Sequence, residues 1–501
     1  MIIVVQQTVF DIDAAIIFAV IATSIAIGFI GYRANKTVSQ FLFANKALGS
    51  WLLAFSIMST YYSAASFLGG GGATYLYNLG FGAWLTAWHV IGVLILWFVV
   101  ASKLFDYVSK TNALSIPELI EHRYKSFGAR VIASSIIILL FTLYLVSVYK
   151  SGAIVIAKQF SIDFSIALLI LVIPVLIYIV VGGMRAAAIN NLFLGTLMLV
   201  AAALTFYYIM SYVGGPMEGL KKLSNTTILG KYPGDLWLRI DGMGPPQAMK
   251  ENAVPQLIMS IAFSIGMAQV ALPNLLLQFY AARDKKAISR GRIIGPVLVA
   301  LYAMLMFSLG AFAHLIIDNK LSKEQVTALM KDVDWVIPTT ISMIVEPGLR
   351  GIIIAGPIAA SMTTIALTVL TIANTVVRDF IQPFKNIEKE STLVLTAKIA
   401  SIMFSLIPIP LALTQNQLII DLVSASFGTI FACFIGPVTI GLYWKKASRE
   451  AAIASMLIGA VTGVTWYMLI YRKYTWIHST IPATILAILT FTILSITTKQ
   501  K

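Results

Sequence analysis

Long apolar runs separated by short polar segments recur from residue 14 to residue 496. A helix needs about 20 apolar residues to cross the hydrocarbon core of a bilayer. Thirteen segments meet that length: 14–32, 51–76, 82–102, 129–158, 164–182, 189–212, 254–281, 292–317, 351–377, 395–413, 418–443, 451–471 and 476–496. The pattern predicts an all-α integral membrane protein with about 13 transmembrane helices. So little chain remains between the runs that a membrane-anchored soluble enzyme is excluded.

Composition agrees with the pattern: 59% of residues are hydrophobic, 11% are charged and the mean hydropathy is +0.88. The net charge of +15 invites a nucleic-acid reading until its distribution is examined. With the N-terminus outside, the inner segments carry 23 Lys/Arg against 8 Asp/Glu, and the outer segments carry 13 of each. The whole net charge therefore falls on one face, which sets an N-out, C-in orientation. Topology and attraction to anionic lipid account for it, leaving no basic patch for nucleic acid. The first residues lack the basic n-region and small-residue cleavage site of a secretory leader. The single cysteine, Cys433, excludes a disulfide framework, and the four histidines show no metal-ligand spacing.

Spans 2 and 7 are interrupted. Span 2 runs from Ser59 through Tyr62 and Ser66 to four consecutive glycines, Gly69 to Gly72, a poor composition for a continuous helix. Span 7 carries Gly266, Gln269, Pro273 and Asn274 near mid-membrane. Broken backbone at that depth is tolerated where it is buried in protein or lines a cavity. The two breaks lie five helices apart, as expected of a five-helix unit used twice in inverted topology. The chain then divides into a first span and inner loop (1–50), a first repeat (51–212), an outer loop (213–253), a second repeat (254–443) and two accessory spans (444–501). The plainer alternative is that the glycines allow close helix packing and that Pro273 makes a kink.

Four motifs occur in order along this framework. They are Ser63-Ala-Ala-Ser-Phe-Leu-Gly-Gly70; Ile116-Pro117-Glu118 with Glu121-His-Arg-Tyr124; Gly182-Gly183-Met-Arg185; and Gln278-Phe-Tyr-Ala-Ala-Arg283-Asp284 with Ser289-Arg290-Gly291. Together they resemble the sodium/solute symporter family, which includes proline, pantothenate, monocarboxylate and sugar carriers. The resemblance covers essentially the whole chain. It implies a leucine-transporter-like core from spans 2 to 11, alternating access, multi-pass residence in the cell membrane, and solute uptake coupled to inward sodium movement, with sodium as coupling ion and no prosthetic group.

Sodium is a hard cation and prefers oxygen ligands. In span 9, helical spacing places the hydroxyls of Thr363 and Thr364 close to the carbonyl of Ala360; the alternative is that they only bond back along their own helix. The resemblance assigns sodium to the backbone oxygens of Ser59, Tyr62 and Ala360 and the hydroxyls of Thr363 and Thr364. One departure stands out: the family's acidic residue and glutamine after Gly182-Gly183 are matched by Asn191 and Leu194, which leaves stoichiometry and proton coupling open. For the solute, the breaks point to Ser66, Gly70, Gln269 and Asn274. Lys150, within span 4, is either a contact for an anionic solute or a snorkelling side chain. Leu272-Pro273-Asn274 looks like the Leu-Pro-His of the family's carboxylate carriers, which favours a carboxylate-bearing solute. No phosphate-binding loop or catalytic constellation is visible, so the expectation is a sodium-coupled symporter rather than an enzyme. The alternatives are a proton-coupled permease on the same fold and a non-transporting receptor.

Overall fold

A computed structural model of the 501-residue chain describes residues 11–30, 37–43, 46–228, 232–239, 254–385, 389–414 and 418–498. Eleven of its helices are long and apolar enough to cross a bilayer. Another crossing is made by a bent pair, Ser50–Tyr61 and Ala64–Leu76, inclined at 52°. The longest helix, Phe164–Val213, is itself two crossings joined at Gly183, whose φ of 57° and ψ of −153° interrupt it. Spans 5 and 6 meet at this turn, which brings the crossings among the described residues to thirteen. Glycine is required there because the left-handed φ disfavours a side chain and a Cβ would lie 2.6 Å from the Phe41 carbonyl oxygen.

Span 9 (Leu349–Phe384) occupies the centre: 94% of its apolar window is buried, against 22% for span 12 (Arg449–Ile470) and 33% for spans 1 (Ile12–Ile30) and 13 (Thr480–Thr497). The outlying spans therefore brace a core built around span 9. Span 1 is tied to it by Asp13, whose carboxylate accepts from the backbone N–H groups of Gly348 and Gly351 and from Arg350 Nε at 2.5 Å.

Both expected breaks are present, but the one in span 2 is displaced from the glycines. Its inner half ends at Tyr61, Tyr62 is extended (φ −87°, ψ 125°), and Ser63 caps the outer half by accepting from the Ala65 N–H at 3.1 Å. Ser66 and Gly69 to Gly72 lie inside the outer helix, Ala64–Leu76. Close packing explains those glycines: a Cβ on Gly70 would meet the Phe307 ring at 2.6 Å, and Gly71 and Gly72 face Ile337 and the Val333 carbonyl. The expected opening around Gly70 is thus corrected to Tyr62–Ser63, where a cap residue rather than a glycine run ends the helix. Span 7 breaks where the sequence indicates, between Val254–Ala268 and Pro273–Tyr280. Pro273 starts the second half at a position that needs no N–H.

The ends of the bundle are closed by shorter elements. Outside lie the helices Pro216–Asn225, Lys323–Lys331 and Val336–Ile344 and an antiparallel pair, Thr227–Ile228 with Tyr232–Pro233. Inside, the helix Ile116–Tyr124 packs between the inner ends of spans 4 and 9: Arg130 bonds Glu121 at 2.5 Å and Asp379 at 2.8 Å, and Ser115 Oγ donates to Asp379 at 2.7 Å. Asp379 is thereby enclosed in protein, with no exposure.

Candidate functional site

The break in span 2 releases carbonyls that a continuous helix would use internally, and span 9 supplies the groups that meet them. Thr363 Oγ1 donates to the Ser59 carbonyl at 2.6 Å and lies 3.0 Å from the Ala360 carbonyl. Thr364 Oγ1 lies 2.9 Å from the Ala360 carbonyl, 3.0 Å from that of Thr60 and 3.3 Å from that of Tyr62. All these residues are buried. The five oxygens assigned by the resemblance converge in one cluster, joined by the Thr60 carbonyl, which the sequence reading omitted. The bonds back to Ala360 also form, so the threonines do both: they bond along their own helix and across to the broken one. What the cluster offers chemically is an all-oxygen, uncharged, enclosed set suited to a hard monovalent cation.

Beside it, span 6 presents Asn191, whose Nδ2 donates to Ser56 Oγ at 3.0 Å and Thr60 Oγ1 at 3.1 Å. Its amide supports the span 2 helix just before the break and brings no carboxylate. Leu194 is buried and apolar.

At the span 7 break, side chains cover most of the freed backbone. Gln269 Nε2 donates to the carbonyls of Gly266 and His89, both at 2.8 Å. Thr439 Oγ1 donates to Val270, and Tyr61 OH donates to Ile265 at 2.6 Å, linking the two broken spans. Tyr61 also stacks on Phe427 at a centroid separation of 6.0 Å and lies 5.3 Å from the His89 ring. Asn274 Nδ2 reaches Thr368 Oγ1 in span 9 at 3.3 Å. Gln269 thus bridges the two repeats through His89, Asn274 bonds within the second repeat to span 9, and Gly70 packs against Phe307.

Lys150 lies further outward. Its Nζ is 3.6 Å from Asp334 Oδ2, in the short helical turn Val333–Trp335 of the outer loop. The same carboxylate oxygen accepts from the Ile419 N–H, at the start of span 11, at 3.2 Å. Burial pushes the Asp334 carboxyl up to about 6, with Lys150 opposing the shift. Asp334 was not legible as a partner because residues 318–350 carry no motif, and a loop acid opposite a span lysine is set by tertiary packing alone.

Residues 41–459 match the model of the sodium:solute symporter family. The chain belongs to that family. Curated relatives include the sodium/pantothenate symporter of Haemophilus influenzae, 27% identical and spanning 91% of this chain and 89% of the relative. The sodium/proline symporter of Salmonella typhimurium is 25% identical over 90% of this chain and 86% of the relative. Among solved structures, a sodium-coupled sialic acid symporter in a substrate-bound outward-open state superimposes with a TM-score of 0.79 at 17% identity, covering 97% of this chain and 98% of that one. A nucleobase-cation-symport-1 transporter in a closed conformation gives 0.52 at 14% identity over 92% and 96%. Those likenesses establish the leucine-transporter-like fold. This symporter is a multi-pass membrane protein that moves a small organic solute with sodium as its coupling ion.

Proposed function

We propose that the coupling sodium is held by the carbonyls of Ser59, Tyr62 and Ala360 and the hydroxyls of Thr363 and Thr364, and that the solute bears a carboxylate. The observation that carries the cation assignment is the convergence of two span 9 hydroxyls on carbonyls freed at the Tyr62–Ser63 break, at 2.6–3.3 Å. A hydroxyl that donates to a carbonyl can rotate its hydrogen away and turn a lone pair to a cation. The carbonyls it leaves then face the same ion. Binding therefore joins span 2 to span 9, the mechanical link that alternating access needs.

The solute reading rests on different ground. The relatives named above carry pantothenate and proline, and both solutes have a carboxylate. Near mid-membrane, the N-terminal end of the outer half of span 2 lies beside Tyr61 and Tyr144, giving a positive dipole end for that group. Gln269 and Asn274 are the proposed polar contacts from span 7, and Ser66 is the proposed contact on the outer half of span 2. Lys150 would meet the solute only in a state in which Asp334 releases it.

Sodium-dependent uptake of radiolabelled pantothenate, proline and lactate into proteoliposomes tests both parts. Thr364→Ala should raise the sodium concentration for half-maximal uptake about tenfold, the loss of one charge-assisted oxygen contact. High sodium should restore most of the rate. An unchanged sodium requirement would overturn the cation assignment, and uptake of none of the three carboxylates would overturn the solute class.

A further inference from the structure

Below the hydroxyl cluster, the inner half of span 7 (Pro273–Tyr280) lies against the inner half of span 9. Their contact is not the apolar seam that buried helices usually form. Along span 9, Thr364, Thr368, Thr371 and Thr375 follow at spacings of four, three and four, and so share one face. Along span 7, Asn274 and Gln278 are one turn apart, with Gln278 Nε2 donating to the Asn274 carbonyl at 3.3 Å. The two rows meet where Asn274 Nδ2 donates to Thr368 Oγ1.

The amide oxygens of this seam, like those of Asn190, Asn191 and Gln269 elsewhere in the bundle, are left without a donor. Asn274 Oδ1, Gln278 Oε1 and Asn374 Oδ1 have no hydrogen-bond partner among the described residues, and each of these side chains is at most 1% exposed. An unsatisfied buried acceptor costs about 1–3 kcal/mol. Three along one seam, each on an amide whose nitrogen is engaged, are acceptors held ready for a guest that carries positive charge.

The inner end of the seam is defined as well. Asn374 Nδ2 donates to the Leu114 carbonyl at 2.8 Å, and Tyr280 OH to the Ser115 carbonyl at 3.4 Å. Ser115 Oγ in turn holds Asp379 Oδ1, while Asp379 Oδ2 is a fourth unpartnered oxygen. Among the described residues, Ser115 Oγ and Arg130 Nε donate to Asp379. The row of oxygens therefore runs from the hydroxyl cluster to a carboxylate at the inner end of the bundle. On span 6, by contrast, Asn191 presents an amide rather than an acid.

We propose that Thr368, Asn274, Gln278, Thr371 and Asn374 form an oxygen relay along which the coupling sodium passes inward from its site to Asp379. The relay rests on the sodium reading given above. Each station replaces part of the ion's hydration with an amide or hydroxyl oxygen, so the ion crosses a buried seam without meeting an apolar step. Asp379 supplies attraction inward without reaching the binding site itself, and Arg130 offsets its charge so that sodium is not trapped there.

A path residue and a site residue leave different signatures, because removing a station slows release toward the inner side and leaves the equilibrium at the site unchanged. The probe is sodium itself, with inward release followed as ²²Na⁺ entry into proteoliposomes of the full-length protein and equilibrium affinity by ²²Na⁺ binding to the purified full-length protein. Gln278→Met and Asn374→Leu each remove one oxygen and keep the bulk. Each should slow the rate of inward release about tenfold while the sodium Kd stays within twofold of the parent. Gln278→Glu and Asn374→Asp retain an oxygen and should recover the rates. Unchanged rates in both apolar variants would overturn the relay, as would acidic variants as slow as the apolar ones. If one apolar variant is not recovered in monodisperse form, the other decides. Thr364→Ala separates this outcome from failure of the site: it should weaken the Kd, and if it does not, the sodium site falls before the relay is judged.

Discussion

At the scale of single residues, the glycines of span 2 show how one composition supports two readings. Four in a row signal either unwound backbone or close helix packing, and the sequence contains nothing to decide between them. The deciding atoms belong to Phe307, Ile337 and Val333, far along the chain. Gly70→Leu should therefore act as an overpacking substitution, lowering stability by about 1–3 kcal/mol and shifting the thermal melt downward. Its residual folded fraction should bind ²²Na⁺ with the parent's Kd, because the cluster at Ser59 to Thr364 is built from other atoms. A weakened Kd at unchanged melting temperature would show that the glycine run acts on the ion site by a route other than packing. Thr363 and Thr364 were legible for the opposite reason: their relation to Ala360 is local, fixed by helical spacing. Only their reach to Ser59, Thr60 and Tyr62 needed the fold or a family resemblance.

Elements show the same division between local and tertiary information. Thirteen apolar runs predict thirteen crossings, and the sharp turn between spans 5 and 6 is marked in the sequence by Gly182-Gly183. The attachment of the outer loop is not marked. Asp334 connects the turn Val333–Trp335 to Lys150 of span 4 and to the first backbone N–H of span 11. Its folded-state value of about 6 stands above the ordinary carboxylate value of 3.8. With the folded value raised, the native state holds this proton more tightly than the unfolded chain. The group's contribution to stability is therefore full below about pH 3.8 and is lost as pH rises through 6. Asp334→Asn keeps the shape and does not ionise, so between pH 5 and pH 7 the melting temperature of the variant relative to the parent should move in the variant's favour. The shift should amount to no more than about 3 kcal/mol. Removing the partner of Lys150 adds an offset in the other direction, but that offset does not vary over this range. A parent-to-variant difference that is flat with pH would place the titration of Asp334 elsewhere.

For the whole molecule, the consequence of placing the ion between span 2 and span 9 is coupling between sites that do not touch. The cation cluster joins the inner half of span 2, its break and the central span 9, whereas the proposed solute contacts Gln269 and Asn274 belong to span 7. Tyr61 bridges the two by donating to the Ile265 carbonyl from within the span 2 helix. At the proposed site, sodium would order the Tyr62–Ser63 break, Tyr61 and, through its bond to Ile265, the outer half of span 7. Linkage is reciprocal: if sodium tightens solute binding by some factor, the solute must tighten sodium binding by the same factor. Couplings of this kind are typically 5–150-fold, or about 1–3 kcal/mol. Tyr61→Phe keeps the ring that lies beside the proposed carboxylate position and removes only the hydroxyl, which is committed to the Ile265 carbonyl and is not a proposed ligand of either ion or solute. It should leave the sodium Kd measured without solute within about twofold of the parent, because a hydrogen bond of this kind contributes only about 1 kcal/mol to the net. The factor by which saturating sodium tightens solute binding should fall, and the factor by which solute tightens sodium should fall equally. With Asn191 in place of an acid beside the cluster, sodium titrations of the parent should also give a Hill coefficient near one, because a single uncharged oxygen set is offered to the ion. Calorimetric titration of each ligand in the presence and absence of the other measures both factors directly. Unequal factors would mean that more than one bound state is being observed, and undiminished coupling in Tyr61→Phe would remove that tyrosine from the link between the two broken spans.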